Sequence, residues 1–157
     1  MPEYAMPPAP TPEHPIDAQM VHELFSMWDK EVPTAEQMRQ WFADDLVFKD
    51  PLQRTDGLQA YYDMNLKLLK QRHDLNIGME DNAQTGNHIM FTFSLDMAPV
   101  PRFPDKRIYN RGMTYVRLND DGKIEYHEDH WDFNTMFLSA FPSIFGRIYK
   151  KFVGIFA

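Results

Sequence analysis

Two hydrophobic periods follow one another along this chain. Behind Asp17, a good N-cap, Val21, Leu24, Phe25 and Trp28 recur at helical spacing, which predicts an amphipathic helix over 17–30. His22 falls on or near its apolar face and reads as a helix-surface histidine. Pro33 interrupts the pattern, and Thr34 with Gln37 has capping-box spacing for a second helix carrying Met38, Trp41 and Phe42. A third helix, capped by Thr55 or Asp56, shows a broad apolar face of Leu58, Tyr61, Tyr62, Met64, Leu68 and Leu69.

The second half alternates instead. Leu75, Ile77 and Met79 are separated by polar residues, and beyond a Gly/Asn-rich turn Ile89, Phe91, Phe93, Leu95 and Met97 interleave with Thr92, Ser94 and Asp96. A proline-rich loop from Pro99 to Pro104 leads to a long strand over Ile108–Leu118. Asn119-Asp120-Asp121-Gly122 then turns the chain back along 123–133, with Gly122 at the left-handed position. Helices followed by a strand meander predict an α+β domain, its helices on one face of a curved sheet.

Chemistry concentrates in two places. Between the second and third helices, Trp41-Phe42 runs into a paired-acid turn, Asp44-Asp45, and then a short strand whose Leu46, Phe48 and Asp50 share one face, stopped by Pro51. Asp50 thus ends an apolar face, where a carboxylate has its charged form disfavoured and can act as a proton carrier. The bland alternative is a water-facing Asp that starts a turn before proline. On the last strand, alternation splits Tyr126 to Asp132 into two sets: His127, Asp129 and Trp131 on one face, Tyr126, Glu128, His130 and Asp132 on the other. The first set suits a ligand cavity, the second a solvated or subunit-contacting face. No metal site is expected, since His127 and His130 point to opposite faces and each His/Asp pair supplies only two ligands.

Composition narrows these readings. A chain of 157 residues with 43% hydrophobic and 14% aromatic side chains is long enough for one domain with a real core and has rings to line a cavity. Without cysteine, disulfides, thiolate metal sites and a Cys nucleophile are excluded. A net charge of −7 argues against nucleic acid as a partner. Six of the twelve prolines lie within residues 1–15, which read as an extended arm. No acid follows Asp132, and in the tail over 134–157 Phe145, Ile148, Phe152 and Ile155 recur at helical spacing beside Arg147, Lys150 and Lys151. That helix is expected to close the domain or meet a partner subunit, with peripheral contact to an anionic membrane interface as the alternative. No stretch is long and apolar enough to span a bilayer and no secretory signal is evident, so a cytoplasmic location is the default.

Phe42-Ala43-Asp44-Asp45 through Asp50-Pro51, Gly57 opening a helix, and the final hairpin through Asp121-Gly122-Lys123-Ile124 into Trp131 together resemble the nuclear transport factor 2-like superfamily. Within it the chain is similar to the ketosteroid-isomerase and SnoaL-like branches, over roughly residues 17–133. The resemblance implies a cone-like curved sheet, antiparallel or mixed, wrapped around N-terminal helices, in a domain over 16–133 with a C-terminal helix. Asp50 is similar in position to the general base of ketosteroid isomerases, and Trp131 to an aromatic of their pocket. Two departures stand out: the oxyanion-binding acid of that family falls on Thr114, and its first-helix tyrosine near Phe25 and Ser26. The resemblance therefore implies a cofactor-independent isomerase, cyclase or dehydratase other than ketosteroid isomerase itself. Asp50 would be its base, with His127 or Asp129 as the acid, acting on a small hydrophobic, carbonyl, polyketide or steroid-like ligand held by Trp131, Tyr61, Phe91 and Phe93. The rival expectation is a non-catalytic hydrophobic-ligand-binding or scaffold domain. Either is expected to form a homodimer through the open sheet face.

Overall fold

Asp17 begins the first helix as its position predicts: its carboxylate accepts the Met20 N–H at 2.8 Å, satisfying a donor that has no intrahelical partner. The computed structural model describes residues 7, 9–11, 13–27, 33–71, 73–98 and 107–133. The expected helical tail over 134–157, the loop Pro99–Pro104, Trp28 and most of the proline arm lie outside these residues. Helix α1 (Ala18–Ser26) buries Val21, Leu24 and Phe25 and packs on the sheet.

Thr34 and Gln37 form the capping box, but α2 (Ala35–Met38) lasts a single turn. Trp41 and Phe42 are not helical, and Asp44-Asp45 is not a turn: strand β1 spans Phe42–Lys49 and carries both acids outward, exposed, at an irregularity in its pairing. The reason is non-local. The Trp41 carbonyl accepts the Ile124 N–H at 2.8 Å and Phe42 stands opposite Ile124, so a strand 82 positions later captures the chain where local spacing favours helix. After β2 (Arg54–Asp56), helix α3 (Leu58–Gln71) starts behind Gly57, whose φ of 92° suits glycine. Neither predicted cap serves it. Asp56 is engaged by Arg54 at 2.6 Å, and the Thr55 hydroxyl is buried with no partner among the described residues.

Strand β3 (His73–Thr85) runs further than the alternation of Ile77 and Met79 implies, and a two-residue turn at Gly86-Asn87 joins it to β4 (His88–Ala98). Strand β5 (Ile108–Leu118) and β6 (Ile124–Trp131) flank the predicted hairpin, with Gly122 at φ 73°. The six strands form one sheet in the order β2-β1-β6-β5-β4-β3, antiparallel except where β1 and β6 run parallel. The fold is thus α+β with a curved mixed sheet, and the core lies between its concave face and the helices: Trp41, Phe42, Leu46, Ile89, Val116 and Ile124 are fully buried there. Among the described residues no helix is long and apolar enough to cross a membrane.

The outer face carries a polar row across three strands. Lys49 Nζ lies 3.1 Å from Glu128, Glu128 accepts the Tyr126 hydroxyl at 2.7 Å, and Arg117 stands 5.4 Å over the Tyr126 ring. The Tyr126 hydrogen bond, with Lys49 beside it, holds the Glu128 carboxyl below its ordinary range against the opposing effect of desolvation. A depressed folded value means that this pairing stabilises the fold above the unfolded carboxyl value and is lost as the pH falls through the folded one. On acidification below about pH 4.5, Glu128→Gln is therefore expected to lose less stability than wild type, by under ~1 kcal/mol for so exposed a cluster. Paired thermal melts across acid pH check this, and parallel curves count against it.

Candidate active site

Alternation along β6 turns His127, Asp129 and Trp131 to the concave face and leaves Tyr126, Glu128 and His130 outside. Those three inward side chains, with Phe25 from α1, Tyr61 from α3, Phe91 and Phe93 from β4, Thr114 from β5 and Asp50 beyond β1, all line one cavity of about 150 Å³. Every residue the sequence singled out for the site is thereby brought to one place. The remaining walls are mostly apolar: Phe48, Met64, Leu68, Ile77, Met79, Leu95 and Met97.

The polar end is a connected chain. The Tyr61 hydroxyl sits 2.8 Å from His127 Nδ1, His127 Nε2 sits 3.0 Å from Asp129 Oδ1, and the Thr114 hydroxyl donates to that same Oδ1 at 2.6 Å. His127 is 4% exposed and packs edge-on against Phe25 and Phe48, with centroids at 4.8 and 4.9 Å, so its ring cannot swing away from these partners. Burial pushes the Tyr61 phenol well above its ordinary value, the Asp129 charge adds to that shift, and the Asn65 side chain opposes it. An ionised carboxylate only accepts, so the His127 nitrogen facing Asp129, Nε2, carries the proton, and in the neutral ring Nδ1 is the acceptor to which the Tyr61 hydroxyl donates. Oδ1 of Asp129 then receives two donors. Oδ2 has no protein partner among the described residues, and the side chain remains 23% exposed.

Asp50 differs. Its Oδ1 accepts the backbone N–H groups of Leu52 and Gln53 at 2.7 and 2.9 Å, and its Oδ2 accepts the Gln53 side-chain amide at 3.0 Å. The turn-starting reading and the cavity-lining reading both hold for this residue: it organises the loop after Pro51 and faces the cavity. Asn110, buried beside the site, uses its amide on the Asp132 carbonyl and its oxygen on the Arg111 N–H, which makes it a brace for the strand ends. Sequence reading missed Asn65 and Asn110 because nothing in helical or strand periodicity marks a polar residue as cavity-facing. It also took Tyr61 only as a wall. Its role as partner of His127, 66 residues away, has no local signal. Among the described residues no three His, Cys, Asp or Glu side chains converge to hold a metal ion.

Tyr61→Phe is expected to free His127 Nδ1 inside the core, at a cost of about 1–3 kcal/mol for an unsatisfied buried acceptor. Asp129 still faces Nε2, so the site of that proton is expected to be kept while Nδ1 loses its hydrogen-bond partner. Nitrogen-15 NMR of the imidazole should show the Nδ1 resonance displaced in the variant. An unmoved Nδ1 resonance would mean that Tyr61 makes no hydrogen bond to the ring.

The profile of the SnoaL-like domain family matches residues 21–127. No match is found among curated proteins. Among solved structures, a Jannaschia sp. CCS1 protein regarded as a SnoaL-like polyketide cyclase aligns with a TM-score of 0.64 at 17% identity, over 76% of this chain and 87% of its own. A SnoaL-like family protein from Agrobacterium tumefaciens, thought to be an isomerase, aligns at 0.61 and 18% identity, over 73% and 97%. A protein of ketosteroid isomerase-like fold from Catenulispora acidiphila, solved with trimethylamine, aligns at 0.59 and 10% identity, over 71% and 85%. At these identities the likeness is one of fold.

Proposed function

The chain belongs to the SnoaL-like domain family, and on that premise we propose that it is a cofactor-independent proton-transfer enzyme, an isomerase, cyclase or dehydratase acting beside a carbonyl, with Asp129 as its general base. One observation carries this reading: Asp129 is pinned through Oδ1 by Thr114 and His127, while Oδ2 has no partner among the described residues and the cavity is walled mostly by apolar side chains. A base needs such a lone pair at a fixed position. Asp50, the base expected from position along the chain, has both oxygens held by its own loop, so it contributes fixed charge and shape. In the proposed step, Oδ2 takes a proton from carbon, the C–H electrons move toward the carbonyl oxygen, and the proton is returned at a second carbon or to a leaving oxygen. His127, backed by Tyr61, steadies the carboxylate through both stages. The Trp131 indole N–H, which no described residue engages, is the proposed donor to the substrate oxygen.

Deuterium uptake at the α-carbons of a panel of small ketones and 1,3-dicarbonyls in D₂O tests the reading without knowledge of the true substrate. Uptake above the buffer rate supports it. The rival reading, a binding domain without catalysis, draws on the mutual saturation of Tyr61, His127 and Thr114, and uptake at the buffer rate throughout would favour it.

A second copy is the proposed partner of the outer sheet face. Met90 and Met113, each 39% exposed, and Tyr109, 61% exposed, stand on that face of β4 and β5. Sedimentation at micromolar concentration should report a dimer, and a monomer would count against this pairing.

A further inference from the structure

Among the described residues that line the cavity, charge is unbalanced: two of them are carboxylates, Asp50 and Asp129, and none is a lysine or arginine. The parallel register sets Phe48 opposite His127 and Lys49 opposite Glu128, and Asp50, the residue after β1, lines the cavity together with Asp129. Aromatic side chains share this lining: Phe48, two residues before Asp50, Trp131, two residues after Asp129, and Phe91 and Phe93 from β4.

Each charge class of ligand meets this arrangement differently. An anion would face two carboxylates with no compensating cation among the described lining residues. A neutral apolar molecule would displace water from Asp129 Oδ2 and offer it no donor, and an unpaired acceptor cut off from solvent is costly. A protonated amine gives Oδ2 a charge-assisted hydrogen bond and places its positive charge near ring faces, while its apolar body takes the Phe and Met walls. Size narrows the choice further. A cavity of about 150 Å³ falls well below the roughly 300–1,000 Å³ of drug-sized sites, which leaves room for about one ring.

We propose that the ligand of this cavity is a small organic cation, an ammonium on an apolar body of about one ring, held by Asp50 and Asp129 against the rings of Phe48 and Trp131. This rests on the reading of the cavity as the substrate site and adds the class of substrate. It also fits the proposed step: the ammonium takes one lone pair of Asp129 Oδ2 and lies near the charge of Asp50, itself fixed by three N–H donors, and the second lone pair of Oδ2 remains for the proton. A cation next to the reacting carbon makes that proton more acidic.

The test is calorimetric titration of the full chain with three probes of similar shape: benzylammonium, benzyl alcohol and benzoate. Benzylammonium is expected to bind at least about tenfold more tightly than benzyl alcohol, as one charge-assisted hydrogen bond implies, with benzoate weakest. Asp50→Asn and Asp129→Asn should each shrink the preference for the cation. Added salt should weaken benzylammonium alone in the wild type, a measurement that does not depend on how either variant folds. Benzyl alcohol binding as tightly as benzylammonium, benzoate binding best, or no probe binding overturns the inference. Deuterium uptake by neutral ketones with no preference for the cation sinks the amine class and leaves the proton-transfer reading standing. Cation selectivity without uptake on any carbonyl sustains the amine class and removes the catalysis.

Discussion

Replacing Asp129 by Asn should leave the fold standing and cut α-carbon deuterium uptake by about 10²–10⁴-fold, the usual worth of a positioned general base. The amide oxygen can occupy the place of Oδ1, where it still accepts from the Thr114 hydroxyl and from His127 Nε2, now 2.6 and 3.0 Å from the carboxylate. The NH₂ group then takes the place of Oδ2 and faces the cavity as a donor that cannot accept a proton. Structure and proton chemistry are thereby separated within one isosteric change. Asp50→Asn is the instructive contrast. It sets an NH₂ where the carboxylate meets either the loop N–H groups of Leu52 and Gln53 or the Gln53 amide, so its first effect is on the turn after Pro51. Uptake within about threefold of wild type in Asp129→Asn would remove Asp129 from the role of base. Uptake lost only in Asp50→Asn, with unchanged melting, would return that role to Asp50.

Gly112→Ala is expected to cost about 1–3 kcal/mol, the scale for overpacking a well-filled site, and to lower the melting temperature by roughly 3–10 °C in a chain of this size. A Cβ at Gly112 would stand 2.7 Å from the His130 carbonyl oxygen and 2.7 Å from Phe93 Cε1. The carbonyl belongs to the β6 backbone, where Met113 pairs with His130, so it cannot retreat without disturbing the ladder. The Phe93 ring, 9% exposed, lies across the glycine from β4 and has to turn toward the cavity it lines. A second effect follows, since a displaced ring fills space the ligand needs, and benzylammonium affinity should fall along with stability. A melting temperature within about one degree of wild type would show that the sheet accommodates the methyl freely.

What could be read from residues alone was whatever depends on nearest neighbours along the backbone. Asp17 and the Thr34/Gln37 pair mark helix starts because capping acts within one turn, and Gly122 marks its hairpin because a left-handed residue is needed there. Alternation assigned His127, Asp129 and Trp131 to one face of β6 and Asp50 to the face of Phe48, since successive strand side chains point to opposite sides whatever the neighbouring strand is. The resemblance, carried by short motifs, reached the fold for the same reason. Local reading failed at Trp41 to Asp45, where helix spacing and paired acids indicate a helix and a turn. The parallel pairing of β1 with β6 overrides both, a contact whose two sides are far apart in the chain.

Tertiary structure alone decided the chemistry within the site. Tyr61 meets His127 because α3 packs over the concave face, and Thr114 meets Asp129 because register sets them opposite each other on β5 and β6. Those two pairings determine which Asp129 oxygen is occupied and which has no partner among the described residues, and the proposed choice between the two carboxylates rests on them. The close packing of Phe93 on Gly112 and the size of the cavity are decided in the same way. Register is set by burying a whole sheet face at once, and no single stretch of sequence contains that information.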